Sequence, residues 1–147
     1  AVIHVGGITE SIAKEKYDRV EDAVYATKAA IEEGVSIGGG MTYANIGNKL
    51  HNLHASALEK DNKAGYFIVL GALLEPFHQL SINSSVEDIS PFICPSGYTG
   101  YDFRNYRWVD MIEEGIIDPT KVLRVALENA VSVAGMIITT SGIITKE

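Results

Sequence analysis

The sequence predicts a mainly α fold with short strands, an α+β arrangement in which helices dominate. Three observations carry this. Two long stretches, 9–33 and 119–139, have no interior Pro and carry helix-border residues at their ends. Apolar residues recur within them at three- and four-residue steps. The β-branched or aromatic runs, at 1–5, around 98–108 and at 143–145, are too short for more than brief strands.

Taken in order, Ala1-Val2-Ile3-His4-Val5 reads as a strand closed by Gly6-Gly7. From Thr9 to about Glu33 the chain lacks Gly and Pro and is rich in Ala, Glu and Lys, and Gly34 closes it, so one long helix is expected. Val20, Ala23, Val24, Thr27, Ala30 and Ile31 form its apolar face, and Lys14, Glu15, Lys16, Asp18, Arg19 and Glu21 are what any solvated face would carry. Gly38-Gly39-Gly40 follows. A triple glycine offers nothing to a packed core, so it reads either as a hinge between helices or as backbone that approaches a ligand closely, with its amides favouring an anion.

A polar helix is expected over Met41–Leu53, with His51 and His54 three apart but no third group placed to complete a metal site. Asp61–Asn83 is again helical, ended or kinked near Glu75 by Pro76. Phe67, Ile68, Leu70, Ala72, Leu73 and Leu74 surround it on nearly every side, which suggests a core position. Ser84–Phe92 is a short helix candidate capped by Ser85. Pro91, Pro95, Gly97 and Gly100 then make a turn-rich loop into Tyr101-Asp102-Phe103. Asp118 is a natural N-cap and Pro119 a favoured first-turn residue for the last helix, which runs to about Thr139, and Ile143-Ile144-Thr145 can add a final strand.

Composition narrows function. The 147 residues fit one ordinary domain, with 46% hydrophobic and 21% charged residues and a formal net charge of −7. That charge repels nucleic-acid backbones, and no Lys/Arg cluster reverses it, so no nucleic-acid partner is expected. Cys94 is the only cysteine, which excludes an internal disulfide and a cysteine zinc site. No apolar run approaches the ~20 residues that span a bilayer, so no membrane partner is expected. The start at Ala1, without Met or a charged leader, fits a piece of a larger protein.

Four stretches together resemble the group I chaperonin (GroEL/Hsp60-type) family. They are Val2-Ile3-His4-Val5-Gly6-Gly7 with Thr9-Glu10; Lys14-Glu15-Lys16 through Asp18-Arg19-Val20-Glu21-Asp22-Ala23; Ala26-Thr27 through Ala29-Ala30-Ile31-Glu32-Glu33-Gly34 to Gly38-Gly39-Gly40; and Gly115-Ile116-Ile117-Asp118-Pro119-Thr120-Lys121-Val122 through Ser132-Val133-Ala134-Gly135-Met136. Their order and separations agree with the family, and the match is poor between Met41 and Ser96.

The resemblance implies a helical half of an equatorial domain plus part of an intermediate domain: residues 1–33 as the returning intermediate-domain segment, and 34–147 as the C-terminal half of the ATP-binding equatorial domain. The apical domain and the N-terminal equatorial half, with its phosphate loop and its magnesium-carrying aspartate, are expected to lie outside this chain. ATP is the implied cofactor, with Mg²⁺ held mainly by those outside residues. The implied partners are other subunits of a homo-oligomeric ring, with unfolded clients and a co-chaperonin reached through the apical domain. The implied setting is the bacterial cytoplasm or an organelle matrix.

By the same resemblance Asp22 matches the catalytic carboxylate that positions the attacking water, a role suited to in-line attack on a γ-phosphate. Gly38 and Gly39 match glycines whose backbone lies against the nucleoside. Asp118 matches the aspartate that accepts hydrogen bonds from the ribose hydroxyls, a role compatible with capping because a carboxylate offers about four lone-pair sites. Asp102, Phe103 and Arg104 fall beside the adenine, where the family usually has small residues after the first position. Two readings follow. One is a fragment of an ATP-dependent folding chaperonin, inactive as an ATPase by itself. The other is a non-catalytic structural or interaction domain from a divergent paralogue, favoured by the bulk of Phe103 and Arg104. A third, an unrelated helical enzyme with a glycine-rich phosphate loop, requires all four matches to be accidental.

Overall fold

The computed structural model describes residues 1–54, 60–86, 89, 97–142 and 144. In chain order the elements are α1 (Glu10–Glu33), β1 (Val35–Ile37), α2 (Met41–His54), α3 (Lys60–Ala72), α4 (Glu75–Asn83), β2 (Thr99–Asp102), β3 (Arg107–Asp110), β4 (Ile117–Pro119) and α5 (Thr120–Thr139). β1 pairs with β4, and β2 with β3. The predicted mainly α fold with short strands is the fold observed. Contacts divide the chain into two compact units, Ala1–Val35 with Asp118–Glu147, and Ser36–Ile117.

The first unit is built on α1 and α5. α1 starts where Thr9, in an extended conformation, accepts the Ile12 amide at 3.3 Å. It stops at Gly34, whose φ of 79° suits a residue without a β-carbon and whose amide donates to the Ala30 carbonyl at 2.8 Å. α1 and α5 pack on each other, yet neither contains a fully buried residue. The expected apolar face of α1 is only partly covered: Val20, Val24 and Ala30 are half-buried, whereas Ile31 is 80% exposed.

Charge is unusually placed in this unit. α1 ends in Glu32 and Glu33 without a basic residue in its last turn, and α5 opens with Lys121 and without an acidic one in its first. Both choices oppose the helix macrodipole, typically by about 0.3–1 kcal/mol each at a surface. They are resolved by pairing: Lys121 donates to Glu32, and Arg124 to Glu33 at 2.7 Å.

The second unit holds the core. Ile37, Met41, Phe77, Tyr101, Val109 and Met111 form one buried cluster, with Val86, Ile89, Phe103 and Ile116 packed against it. Met41, Phe77 and Met111 are fully buried, and burial of each such side chain is worth about 1.5–3 kcal/mol. β2 and β3 form an antiparallel hairpin in register Thr99↔Asp110, Gly100↔Val109, Tyr101↔Trp108 and Asp102↔Arg107. α3 stops two residues short of α4, and Pro76 sits in the first turn of α4, as its missing N–H allows.

Several expectations are corrected. Residues 1–5 form no strand, and no described strand lies paired with them to accept their hydrogen bonds. α3 is not enclosed: Leu70 is buried, but Ile68 is 72% exposed, so its apolar residues reach beyond the buried side. Asp118 is not the N-cap of α5. It lies in β4, and the cap position falls to Pro119, with φ −64° and ψ 125° and no side-chain hydrogen bond. The ring fixes only φ; the ψ of 125°, which continues β4 through Pro119, keeps this residue out of the helix and moves the helix start on by one residue. Gly100 is not a loop glycine but a buried residue of β2.

α5 also corrects the estimate of apolar length: its 20 residues, at mean hydropathy 1.5, are long and apolar enough by length and composition alone to cross a membrane. The proposed cap at Ser85 has φ 55° in a turn after α4, and residues 87, 88 and 90–92 of that candidate helix lie outside the described residues. So do Pro91, Cys94, Pro95, and residues 143 and 145 of the tail; Ile144 is in no strand.

Candidate functional site

The glycine triplet is shaped by what surrounds it in the second unit. The Gly38 amide donates to the Ile116 carbonyl at 2.9 Å, the Met41 amide to the Gly38 carbonyl at 3.1 Å, and the Thr42 hydroxyl to the Ile37 carbonyl at 2.7 Å. Gly39 and Gly40 adopt φ of 62° and 73°, a left-handed pair that turns β1 into α2.

A β-carbon at Gly38 would lie 3.1 Å from the Ile116 oxygen; at Gly39, 3.0 Å from Met111 Cε; at Gly40, 2.8 Å from the Phe77 nitrogen. The expectation that triple glycine serves no core packing is therefore overturned. These glycines let three other segments close on the start of α2, and a side chain at any of them would push one away.

The β2–β3 hairpin meets the triplet through Met111, and the Tyr101 carbonyl lies 3.7 Å from where a Gly39 β-carbon would be. The structure thus gathers Gly38, Gly39 and the Tyr101–Asp102 end of β2 in one neighbourhood.

Asp102 is 5% exposed, and both of its oxygens are engaged. Oδ1 accepts the amides of Arg104 at 2.9 Å and Asn105 at 3.1 Å, and Oδ2 accepts the Asn105 side-chain amide at 2.6 Å. The Asn105 side-chain bond, aided by the two backbone amides and Arg107, holds its pKa below the ordinary aspartate range. This carboxylate braces loop 103–106, in which Tyr106 carries φ 55°.

Phe103 does not project from the loop. Its ring packs 5.3 Å from Phe77 and 5.1 Å from Tyr101, between centroids, while Arg104 is exposed. Tyr101 continues the aromatic chain edge-on to Trp108 at 5.4 Å. A second aspartate, Asp110, repeats the loop-bracing pattern by accepting the amides of Ile112 and Glu113 at 2.9 and 3.1 Å.

The remaining two predicted site residues belong to the first unit. Asp22 is exposed on α1. Asp118 is half-buried in β4, its carboxylate has no hydrogen-bond or ion-pair partner among the described residues, and burial raises its pKa above the ordinary value. His51 packs edge-on to Phe67 at 5.6 Å, and the side chain of His54 lies outside the described residues. Among the described residues no three of His, Cys, Asp and Glu gather as a metal site.

Sequence reasoning missed the contacts of Ile116, Met111 and Phe77 with Gly38, Gly39 and Gly40, for which no local signal exists. It also missed the ion pairs of Glu32, Glu33, Lys121 and Arg124, whose signal was available as charge of the wrong sign at two helix ends.

The model of the TCP-1/cpn60 chaperonin family matches residues 1–147. Among solved structures, the crystal structure of a group III chaperonin in the open state is similar, with a TM-score of 0.77 and 25% sequence identity over 95% of this chain and 30% of that chain. This chain thus spans about 30% of that relative's length. The resemblance to group I narrows no further than the family, because the solved structure matched here is of group III.

Proposed function

The chain belongs to the TCP-1/cpn60 chaperonin family, and we propose that it is the C-terminal portion of an ATP-driven chaperonin subunit whose complete form assists protein folding within a ring of subunits. In this proposal residues 1–33 return from the intermediate domain and 34–147 form the C-terminal half of the equatorial domain. The observation that carries it is Asp118. A half-buried carboxylate without an internal partner is a cost to the fold, and such a group is characteristic of a position kept for a ligand.

Asp118 fits hydroxyl donors such as those of a ribose, because ionised it only accepts hydrogen bonds. Gly38 and Gly39 are assigned to the nucleoside side by the family resemblance alone, since the space a β-carbon would take at each is already filled by Ile116 and Met111. Asp22, exposed and acceptor-only, fits a water-orienting role. Mg²⁺, when bound with ATP, would neutralise charge developing on the transferred phosphoryl group, and its ligands are assigned to the remainder of the subunit.

A second reading, a structural domain that has lost nucleotide binding, is favoured by the hairpin. There Asp102 is committed to its own loop and Phe103 to the aromatic cluster. Calorimetric titration of the complete subunit with ATP and Mg²⁺ separates the two. The first reading expects saturable binding weakened by Asp118→Ala, and hydrolysis slowed about 100-fold or more by Asp22→Ala with binding retained. A complete subunit that binds no nucleotide would establish the second.

A further inference from the structure

The joint between α1 and α5 contains more than two opposed charges. Arg124 uses every nitrogen of its guanidinium: Nη2 donates to Glu33 Oε1 at 2.7 Å and Nε to Glu33 Oε2 at 3.1 Å, a two-pronged contact. The remaining Nη1 donates to both oxygens of Glu128, at 2.9 and 3.0 Å. Glu128 lies one turn further along α5 itself, whereas Glu33 is the last residue of α1. Lys121 and Glu32 form the only other ion pair between the two helices among the described residues.

We propose that Glu128 is a positioning residue for the α1–α5 joint: by holding Nη1 it turns the Nε–Nη2 edge of Arg124 toward Glu33. An arginine has a large rotamer entropy to lose, and an exposed ion pair is weak mainly because that entropy is lost when it forms. A partner on the same helix orders the guanidinium before α1 arrives, so less freedom remains to be lost at the contact with Glu33. The two carboxylates take different edges of the planar fork and do not compete for one N–H.

Like-charge repulsion between Glu33 and Glu128 acts in the opposite direction. Both side chains are solvated, however, and the guanidinium lies between them. Asp22 lies on the same helix, three turns before Glu33 and about 16 Å along the axis, so the direction this joint gives α1 also directs Asp22. The joint itself is independent of what Asp22 does.

The test is an NMR titration of the Glu33 side-chain carboxyl in this chain. In the parent, Arg124 holds the Glu33 pKa below the ordinary glutamate value. Glu128→Met, which keeps length and helix propensity but offers Nη1 no oxygen, is expected to move it upward toward that value. Arg124→Lys is expected to do the same, because an ammonium cannot fork, and adding Glu128→Met to Arg124→Lys is expected to move it no further. A Glu33 titration that stays in place in Glu128→Met, or moves downward as relief of repulsion would make it, overturns the proposal. Circular dichroism of each variant verifies that α5 is intact.

Discussion

The Phe77 backbone lies against Gly40 so closely that a β-carbon on Gly40 would sit 2.8 Å from the Phe77 nitrogen and 2.9 Å from its Cα. Neither atom can swing aside as a flexible side chain would, so the first turn of α4 and the start of α2 meet at this distance only because position 40 is glycine. The φ of 73° at Gly40 adds a second demand for the same residue.

Gly40→Ala is therefore expected to destabilise the fold by about 2–4 kcal/mol, adding left-handed strain to backbone overpacking. Gly65→Ala is the control. Gly65 lies inside α3 with nothing near its β-carbon position, and the change is expected to stabilise by about 0.5–1 kcal/mol through helix propensity. The midpoints of urea unfolding compare the two.

Phe103→Ala should cost about 2–4 kcal/mol, because its ring fills space between Phe77 and Tyr101. Arg104→Ala, at the exposed neighbour, should stay within about 0.5 kcal/mol. Equal effects in thermal or urea unfolding would contradict the placement of Phe103 in the cluster.

Asp102 makes the hairpin loop sensitive to acid. Its folded pKa is depressed, so the stability it contributes is present above the unfolded value of about 3.9 and is lost as pH falls through the lower folded value. Trp108 packs on Tyr101 next to this loop, and its fluorescence should change in that acid window. Asp102→Asn, which can still accept the two backbone amides but carries no charge, should remove the pH dependence.

Asp118 has the opposite sign. Its folded pKa is raised, so stability declines as pH rises from the unfolded value through the folded one, and above that the burial of charge is fully felt. Asp118→Asn should make the chain more stable at pH 7, with the gain vanishing below about pH 4. In the complete subunit the same substitution should weaken nucleotide binding, the exchange of function for stability expected of a ligand-directed carboxylate. Denaturant midpoints at pH 3.5 and pH 7, with calorimetric titration, measure both.

Much of the secondary structure was legible because its causes are local. Thr9 and Gly34 border α1 through hydrogen bonds within one turn, and Pro76 separates α3 from α4 by geometry of its own ring. Brief strands around 98–108 were expected from the aromatic residues there, but not their antiparallel pairing as β2 and β3. Less legible were facts that depend on a distant partner. The N-terminal run 1–5 has strand composition, but a strand exists only where another strand receives its hydrogen bonds. Asp118 has the composition of a cap, yet Pro119 takes that place and leaves the carboxylate half-buried in β4.

By itself the sequence determined the long helices, the Gly34 stop of α1, the mainly α character and the chaperonin family, because propensity, periodicity and motif order are all written along the chain. Only the tertiary structure decided what the glycines meet, that Phe103 turns inward, that Asp102 is occupied by its own loop, and that Glu33 and Arg124 complete each other. Each of those depends on which atoms, dozens of residues apart, come within about 3–5 Å, and contact energies fall off over that range while sequence spacing carries no record of it.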